Sequence, residues 1–153
     1  MNKQRGSRFC FVCGRDNPIG LHLVFHEDDQ GRVIARFTPG EAHQGYPGVL
    51  HGGITCALLD ETIGRTLVSR DLWAMTADLR VRFRKPIPLN ETLTVYGELG
   101  RLRSRTMEGR GRIELEDGSV AATAEAKYII LSEEKVAQFK EELPFWRVDG
   151  EQT

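Results

Sequence analysis

An α+β fold, with an antiparallel β-sheet wrapped around one central helix, is what this sequence predicts. Three observations carry the expectation. Cys56, Leu59, Ile63, Gly64 and Leu67 recur at i, i+3, i+4 spacing, so 54–68 reads as a helix with one apolar stripe. The segments 75–85, 93–102, 104–116 and 119–131 are each long enough for a strand, and the first alternates apolar with polar residues. Asp117-Gly118, between the last two, is a strong hairpin signal, and tight turns between strands make an antiparallel sheet.

Taken in order, the chain opens with a short segment, 1–19, that carries the pair Cys10 and Cys13. Asn17-Pro18-Ile19-Gly20 is a turn into a first strand, where Leu21, Leu23 and Phe25 alternate with His22, Val24 and His26. Asp28-Asp29-Gln30-Gly31 turns the chain back into 32–37, completing a hairpin. The loop 38–50 is rich in Gly and Pro and carries His43 and Gln44. After the helix, Ala77, Leu79, Val81 and Phe83 form the strand face expected to cover it, with Asp78, Arg80, Arg82 and Arg84 opposite. Pro86-Ile87-Pro88 ends that strand. Ser132 caps a last helix in the C-terminal segment 132–153, with Val136, Phe139 and Leu143 on one side.

With 153 residues the chain reads as one main domain with a proper core, spanning 20–131 between the two end segments. A formal charge of −1 gives no global pull towards nucleic acid or an anionic membrane. No apolar run approaches the roughly 20 residues that span a bilayer, and 1–8 lacks the apolar core of a secretion signal. Three cysteines, an odd number, fit reduced thiols and a cytoplasmic protein better than a disulfide framework. Paired thiols at the spacing of Cys10 and Cys13 can ligate zinc, but a structural site takes four ligands. His22 and His26, about 13 Å apart along a strand, cannot both complete it. Buried thiols with a packing role, and no metal site, are therefore the expectation.

The chemistry is expected around His51-Gly52-Gly53 and Asp60. No Ser, Thr, Asp or Asn lies between Gly45 and Ile54 to cap the helix, which leaves its first N–H groups open to an incoming oxygen. Asp60 falls inside the apolar stripe, and Ala57, Ile63, Cys56 and Gly64 around it offer no cation. An inward carboxylate with no local partner points to a function. Glu61, by contrast, has Arg65 four residues on and reads as half of a helix-surface ion pair. Gly52 and Asp60 are eight residues apart, about 12 Å along a helix. If both serve one site, a second subunit supplies the other half, and the site lies across a symmetric dimer.

These residues carry a family resemblance. His51-Gly52-Gly53 with Asp60, followed by Thr76-Ala77-Asp78-Leu79-Arg80-Val81-Arg82-Phe83-Arg84-Lys85-Pro86, resembles the hot-dog-fold acyl-CoA thioesterases of the phenylacetate-pathway (PaaI) type, over about 21–131. The resemblance implies a hot-dog fold and hydrolysis of an aryl or medium-chain acyl-CoA, with coenzyme A as part of the substrate and no cofactor. In it Asp60 acts as base or nucleophile, the Gly52 N–H polarises the thioester carbonyl, and Gly53 is a nearby second donor. Thr76 matches a position that carries Ser or Thr in relatives, where its hydroxyl can hold the water, and His51 is expected to fix the turn by hydrogen bonding rather than to contact the thioester directly. Gly45 stands where relatives often carry Asn, leaving Gln44 as the nearest amide. Arg82, Arg84 and Lys85 are candidates for the coenzyme A phosphates. A homodimer or homotetramer is expected, with neither nucleic acid nor membrane as partner. The alternative is a non-catalytic acyl-CoA-binding or regulatory module using the same pocket.

Overall fold

The computed structural model describes residues 1–139, 141 and 143–148. Seven strands form one antiparallel sheet: β1 (Asn2–Lys3), β2 (Phe25–Glu27), β3 (Val33–Phe37), β4 (Ala74–Phe83), β5 (Leu93–Leu102), β6 (Thr106–Glu114) and β7 (Val120–Ile130). Their spatial order is β1-β2-β3-β5-β6-β7-β4, so among the described residues β4 lies at an edge and pairs only with β7. The central helix α1 (Gly52–Gly64) runs on into a 3-10 segment, Arg65–Arg70, and packs on β3 to β7. This is the hot-dog architecture the sequence predicts.

Glycine lets the helix sit close to the sheet. A Cβ at Gly97 of β5 would lie 2.3 Å from the Thr62 carbonyl oxygen, and one at Gly109 of β6 would lie 2.6 Å from the Ile63 side chain. The alternating side chains of β7 that face the helix are mostly alanines, with Ala122, Ala124, Ala126 and Tyr128 all buried. Around this contact Phe25, Val33, Leu58, Leu59, Ile63, Val95, Met107 and Ile113 are shielded almost completely. Burial at roughly 25 cal/mol per Å² of apolar surface makes this core the main stabilising term.

The buried face of α1 differs from the expected stripe. Thr55, Leu58, Leu59, Thr62 and Ile63 are its buried residues, while Cys56 is only half-buried and Asp60 lies at the margin. Two threonines supply this face because a helix can absorb a hydroxyl: Thr62 Oγ1 donates to the Leu58 carbonyl at 2.6 Å. The first strand is shorter than the alternation of 21–26 suggests. His22 has a positive φ of 54°, and Leu21 and Leu23 bond through their N–H groups to Phe11 and Val12 rather than to a strand.

Strand β4 is also less covered than expected. A register shift between Thr76 and Asp78 interrupts its pairing, Ala77 is exposed, and Phe83 is 57% exposed. Turns elsewhere follow their residues: Gly31 and Gly118 take positive φ at the two predicted hairpins. Ser132 caps α2 (Glu133–Ala137) by accepting from the Lys135 N–H, but that helix is short and leaves Phe139 and Leu143 beyond it. Residues 149–153 of the C-terminal segment lie outside the described residues. Among the described residues no helix is long and apolar enough to cross a membrane.

Candidate active site

Helix α1 is capped, although none of the usual capping residues is present. His51 occupies the N-cap position in an extended conformation, and its Nδ1 accepts a hydrogen bond from the Gly53 N–H at 2.8 Å. Gly53 is therefore not the open donor the sequence suggested, because the imidazole already engages it. The N–H of Gly52 has no hydrogen-bond acceptor among the described residues. Loop 40–50 holds this geometry from behind. The His51 N–H donates to the His43 carbonyl at 2.9 Å, and Gly45 comes so near that a Cβ there would lie 3.3 Å from His51 Cα. His43 is itself fixed, its Nδ1 accepting from the Gly40 N–H at 2.9 Å.

Asp60 lies two turns further along α1, on the flank facing β4 and β7. Its Oδ1 accepts from Thr76 Oγ1 at 2.8 Å and faces the Tyr128 hydroxyl at 3.0 Å. The same hydroxyl lies 2.7 Å from the Asp60 carbonyl oxygen, so its single proton is shared between the two acceptors. Burial, and then the charge of Asp60, push the Tyr128 phenol above its ordinary range, so it stays a donor. Asp60 Oδ2 has no partner among the described residues. A cavity of about 150 Å³ adjoins the carboxylate, bounded by Asp60, Thr76, Tyr128, Arg65, Trp73 and Trp146. Trp146, from the C-terminal segment, meets Trp73 edge-on with ring centroids 4.9 Å apart.

A model of the thioesterase superfamily matches residues 47–122, the stretch that holds α1, β4, β5 and β6. Mouse (Mus musculus) acyl-coenzyme A thioesterase THEM4 is 30% identical over 115 residues, covering 74% of this chain and 50% of that one. A solved thioesterase superfamily protein is 32% identical with a TM-score of 0.74, over 79% of this chain and 63% of the other.

The chain belongs to the thioesterase superfamily.

It spans about half the length of the mouse relative it matches. The fold also recurs in a hypothetical thioesterase protein from Streptococcus pneumoniae TIGR4 solved with coenzyme A, at 21% identity and a TM-score of 0.66. That match covers 71% of this chain and 84% of the other. Within this thioesterase fold the structure brings together only part of the expected site. Asp60 and Thr76 are in contact, whereas His51 and Gly52 lie at the far end of α1, about 12 Å away by helix geometry. Gln44 serves its own loop, its Oε1 accepting from the Gly48 N–H at 3.2 Å.

The expected phosphate-binding residues lie elsewhere again. Gly109 and Gly111 face α1, so Arg110 and Arg112 face away from it. Arg82 and Arg84 line a groove of about 430 Å³ with those two residues and Arg80, on the face of the sheet opposite the helix. Arg110 and Arg112 are both paired with Glu98 there, at 2.8 and 3.1 Å. Lys85 stands just past the end of β4 and is exposed.

Two features escaped the sequence reading. Tyr128 gave one signal, a single bulky polar aromatic ending a row of alanines on one strand face, since a buried hydroxyl there needs a partner. Glu61 and Arg65 do pair, at 3.0 Å, but not on the surface: their side chains are 23% and 3% exposed. The N-terminal segment folds across that flank of α1, and helix periodicity carries no trace of it. Burial pushes the Glu61 carboxyl up to about 7, against the pull of the neighbouring Arg65 charge.

Proposed function

We propose that the chain is an acyl-CoA thioesterase that hydrolyses an aryl or medium-chain acyl thioester to the free acid and coenzyme A. The tethered carboxylate of Asp60 carries this reading. Thr76 and Tyr128 hold Oδ1, which leaves Oδ2 to face an incoming water or thioester carbon beside the cavity that adjoins it. The THEM4 relative and the coenzyme A in the pneumococcal neighbour support the substrate class.

The oxyanion donor is the Gly52 N–H, and it comes from a second copy. One α1 cannot present Gly52 and Asp60 to the same carbonyl across about 12 Å. A homodimer resolves this, and β4 supports it: a ten-residue edge strand with Met75 and Phe83 exposed at its two ends. Such an edge invites pairing with another strand. Phe83 also lies against Gly52, its ring 3.5 Å from where a Cβ would stand, so the donor sits beside that edge. Asp60 Oδ2 either attacks the thioester carbon, giving an anhydride that water then hydrolyses, or takes a proton from the water that attacks that carbon. The N–H of Gly52 of the partner subunit donates to the charged carbonyl oxygen, the C–S bond breaks, and the coenzyme A thiolate leaves and takes up the proton. Of the expected phosphate ligands, Lys85 is exposed just past the end of β4, whereas Arg82 and Arg84 lie on the face of the sheet away from Asp60 and are not assigned that role.

Thiol release from a panel of acyl-CoAs tests the proposal. Asp60→Asn keeps shape and removes charge, so hydrolysis is expected to fall at least about a hundredfold with thermal stability checked alongside. Near wild-type turnover by that variant would remove Asp60 from the mechanism. A chain that binds acyl-CoA and releases no thiol would be a binding module instead.

A further inference from the structure

A second cluster lies where residues 4–16 fold across α1, and the proposed hydrolysis does not use it. The Leu21 and Leu23 N–H groups clamp the Cys-x-x-Cys turn by donating to Phe11 and Val12. Inside the turn the Gly14 N–H donates to the Cys10 carbonyl at 2.7 Å, and a Cβ on Gly14 would lie 2.4 Å from that oxygen, so only glycine closes it. Cys10 Sγ, Cys13 Sγ and a Glu61 oxygen fall within 4.8 Å of one another. Arg65 places Nη2 2.8 Å from Cys13 Sγ, Nε on Glu61 and Nη1 on the Arg5 carbonyl at 2.7 Å, with the Phe25 ring 4.3 Å away. Ser7 Oγ lies 3.4 Å from the same sulfur. Cys13 is 5% exposed, yet it borders a cavity of about 240 Å³ whose walls include Arg5, Arg15, His22 and Arg65.

The set is poorly made for a metal. Among the described residues it offers three donors where structural zinc takes four, and a buried guanidinium already holds the cation's place beside one of the sulfurs. It is well made for an anionic sulfur. We propose that Cys13 and Cys10 are a hydroperoxide-reactive thiol pair, with Cys13 as the attacking thiolate on Arg65 and Cys10 as the resolving thiol. Cys13 sulfur attacks one peroxide oxygen and the O–O bond breaks, giving Cys13 sulfenic acid and an alcohol or, from hydrogen peroxide, water once a proton is taken up. Cys10 sulfur then attacks the Cys13 sulfur, and the hydroxyl leaves with the Cys10 proton as water. In sum one thiolate, one thiol, one hydrogen peroxide and one proton give a disulfide and two waters. The roles follow the environments. A hydrogen bond from Cys10, and then the Arg65 charge, lower the Cys13 thiol against its burial, whereas the contact with Cys13, burial and the Glu61 charge raise Cys10. Two sulfurs already within 4.8 Å on one tight turn need only a short approach to bond.

The experiment treats the folded, reduced protein with stoichiometric hydrogen peroxide and then digests it with trypsin. Cleavage after Arg8 and Arg15 leaves both cysteines in one peptide, 9–15. That peptide is expected to become lighter by two hydrogen atoms and to recover with dithiothreitol. In Cys10→Ser, Cys13 is expected to stop at the sulfenic acid and take a dimedone label. In Cys13→Ser, Cys10 is expected to stay a thiol. Arg65→Gln should slow the reaction at least about tenfold, with Arg65→Lys between it and the wild type. Peptide 9–15 keeping both thiols while Cys56 oxidises would overturn the proposal. So would unchanged Cys10 oxidation in Cys13→Ser, or one equivalent of zinc released as the thiols are consumed. The wild-type peptide mass decides the first point without any variant.

Discussion

Thr76 and Tyr128 both act on Asp60 Oδ1, so each orients the same carboxylate rather than adding a separate function. Thr76→Val and Tyr128→Phe are each expected to lower kcat roughly tenfold, about 1.4 kcal/mol, and the double variant to lose less than the sum. Steady-state kinetics on the four proteins would check this, and an unchanged rate in Tyr128→Phe would defeat the tethering argument. Glu61 makes a prediction of the opposite kind. Its folded carboxyl titrates at about 7 against an ordinary 4.5, so the native state keeps a proton that the unfolded chain releases. Stability is therefore intact below about pH 4.5, falls as pH rises towards 7, and above that carries a cost of up to about 3 kcal/mol. Cys13, lowered rather than raised, contributes the reverse slope, so the comparison belongs between variant and wild type. Glu61→Gln is expected to gain stability relative to wild type between about pH 5 and pH 8 in urea titrations. Its hydrolysis rate should change far less than that of Asp60→Asn.

At the scale of elements, β4 decides whether the site exists. Met75→Lys combined with Phe83→Lys places like charges along both copies of the edge, and lysine on an edge strand opposes pairing. Light scattering at micromolar concentration should then show a monomer, and activity should be lost although Asp60 is untouched. A fully active monomer would end the shared-site proposal. The sequence made the elements legible where periodicity was undisturbed: α1, the three long strands β5, β6 and β7, and the Asp117-Gly118 turn all fall within a few residues of their expected places. It misled where a neighbour rewrote the pattern. Thr55 and Thr62 read as polar but are buried, and the Thr62 hydroxyl bonds back to the Leu58 carbonyl of its own helix. His51 replaced the missing cap, a role outside the usual capping residues. The apolar face of β4 reads as core, yet much of it stays open in the single chain.

Across the whole molecule, the parts hidden from the sequence are those made by distant segments. Asp60 could be singled out from its own helix, but its donors lie 16 and 68 residues away. The ends of the chain matter for the same reason. Arg5 pairs with Asp71 at 2.7 Å, Gly6 exchanges backbone hydrogen bonds with Arg147, and Arg15 donates to the Phe145 carbonyl, so the first and last segments are tied together over one flank of α1. Both lie outside the 47–122 stretch that matches the thioesterase superfamily. That tie brings Trp146 onto Trp73, and these are the only two tryptophans in the sequence. All the indole emission of the protein therefore originates at the wall of the Asp60 cavity. An acyl group entering it would displace water from both rings at once, so titrating acyl-CoA into Asp60→Asn should quench or shift the fluorescence saturably, with no label attached. Free coenzyme A, lacking the acyl group, should leave the spectrum nearly unchanged, and the molecule would report on its own occupancy in light.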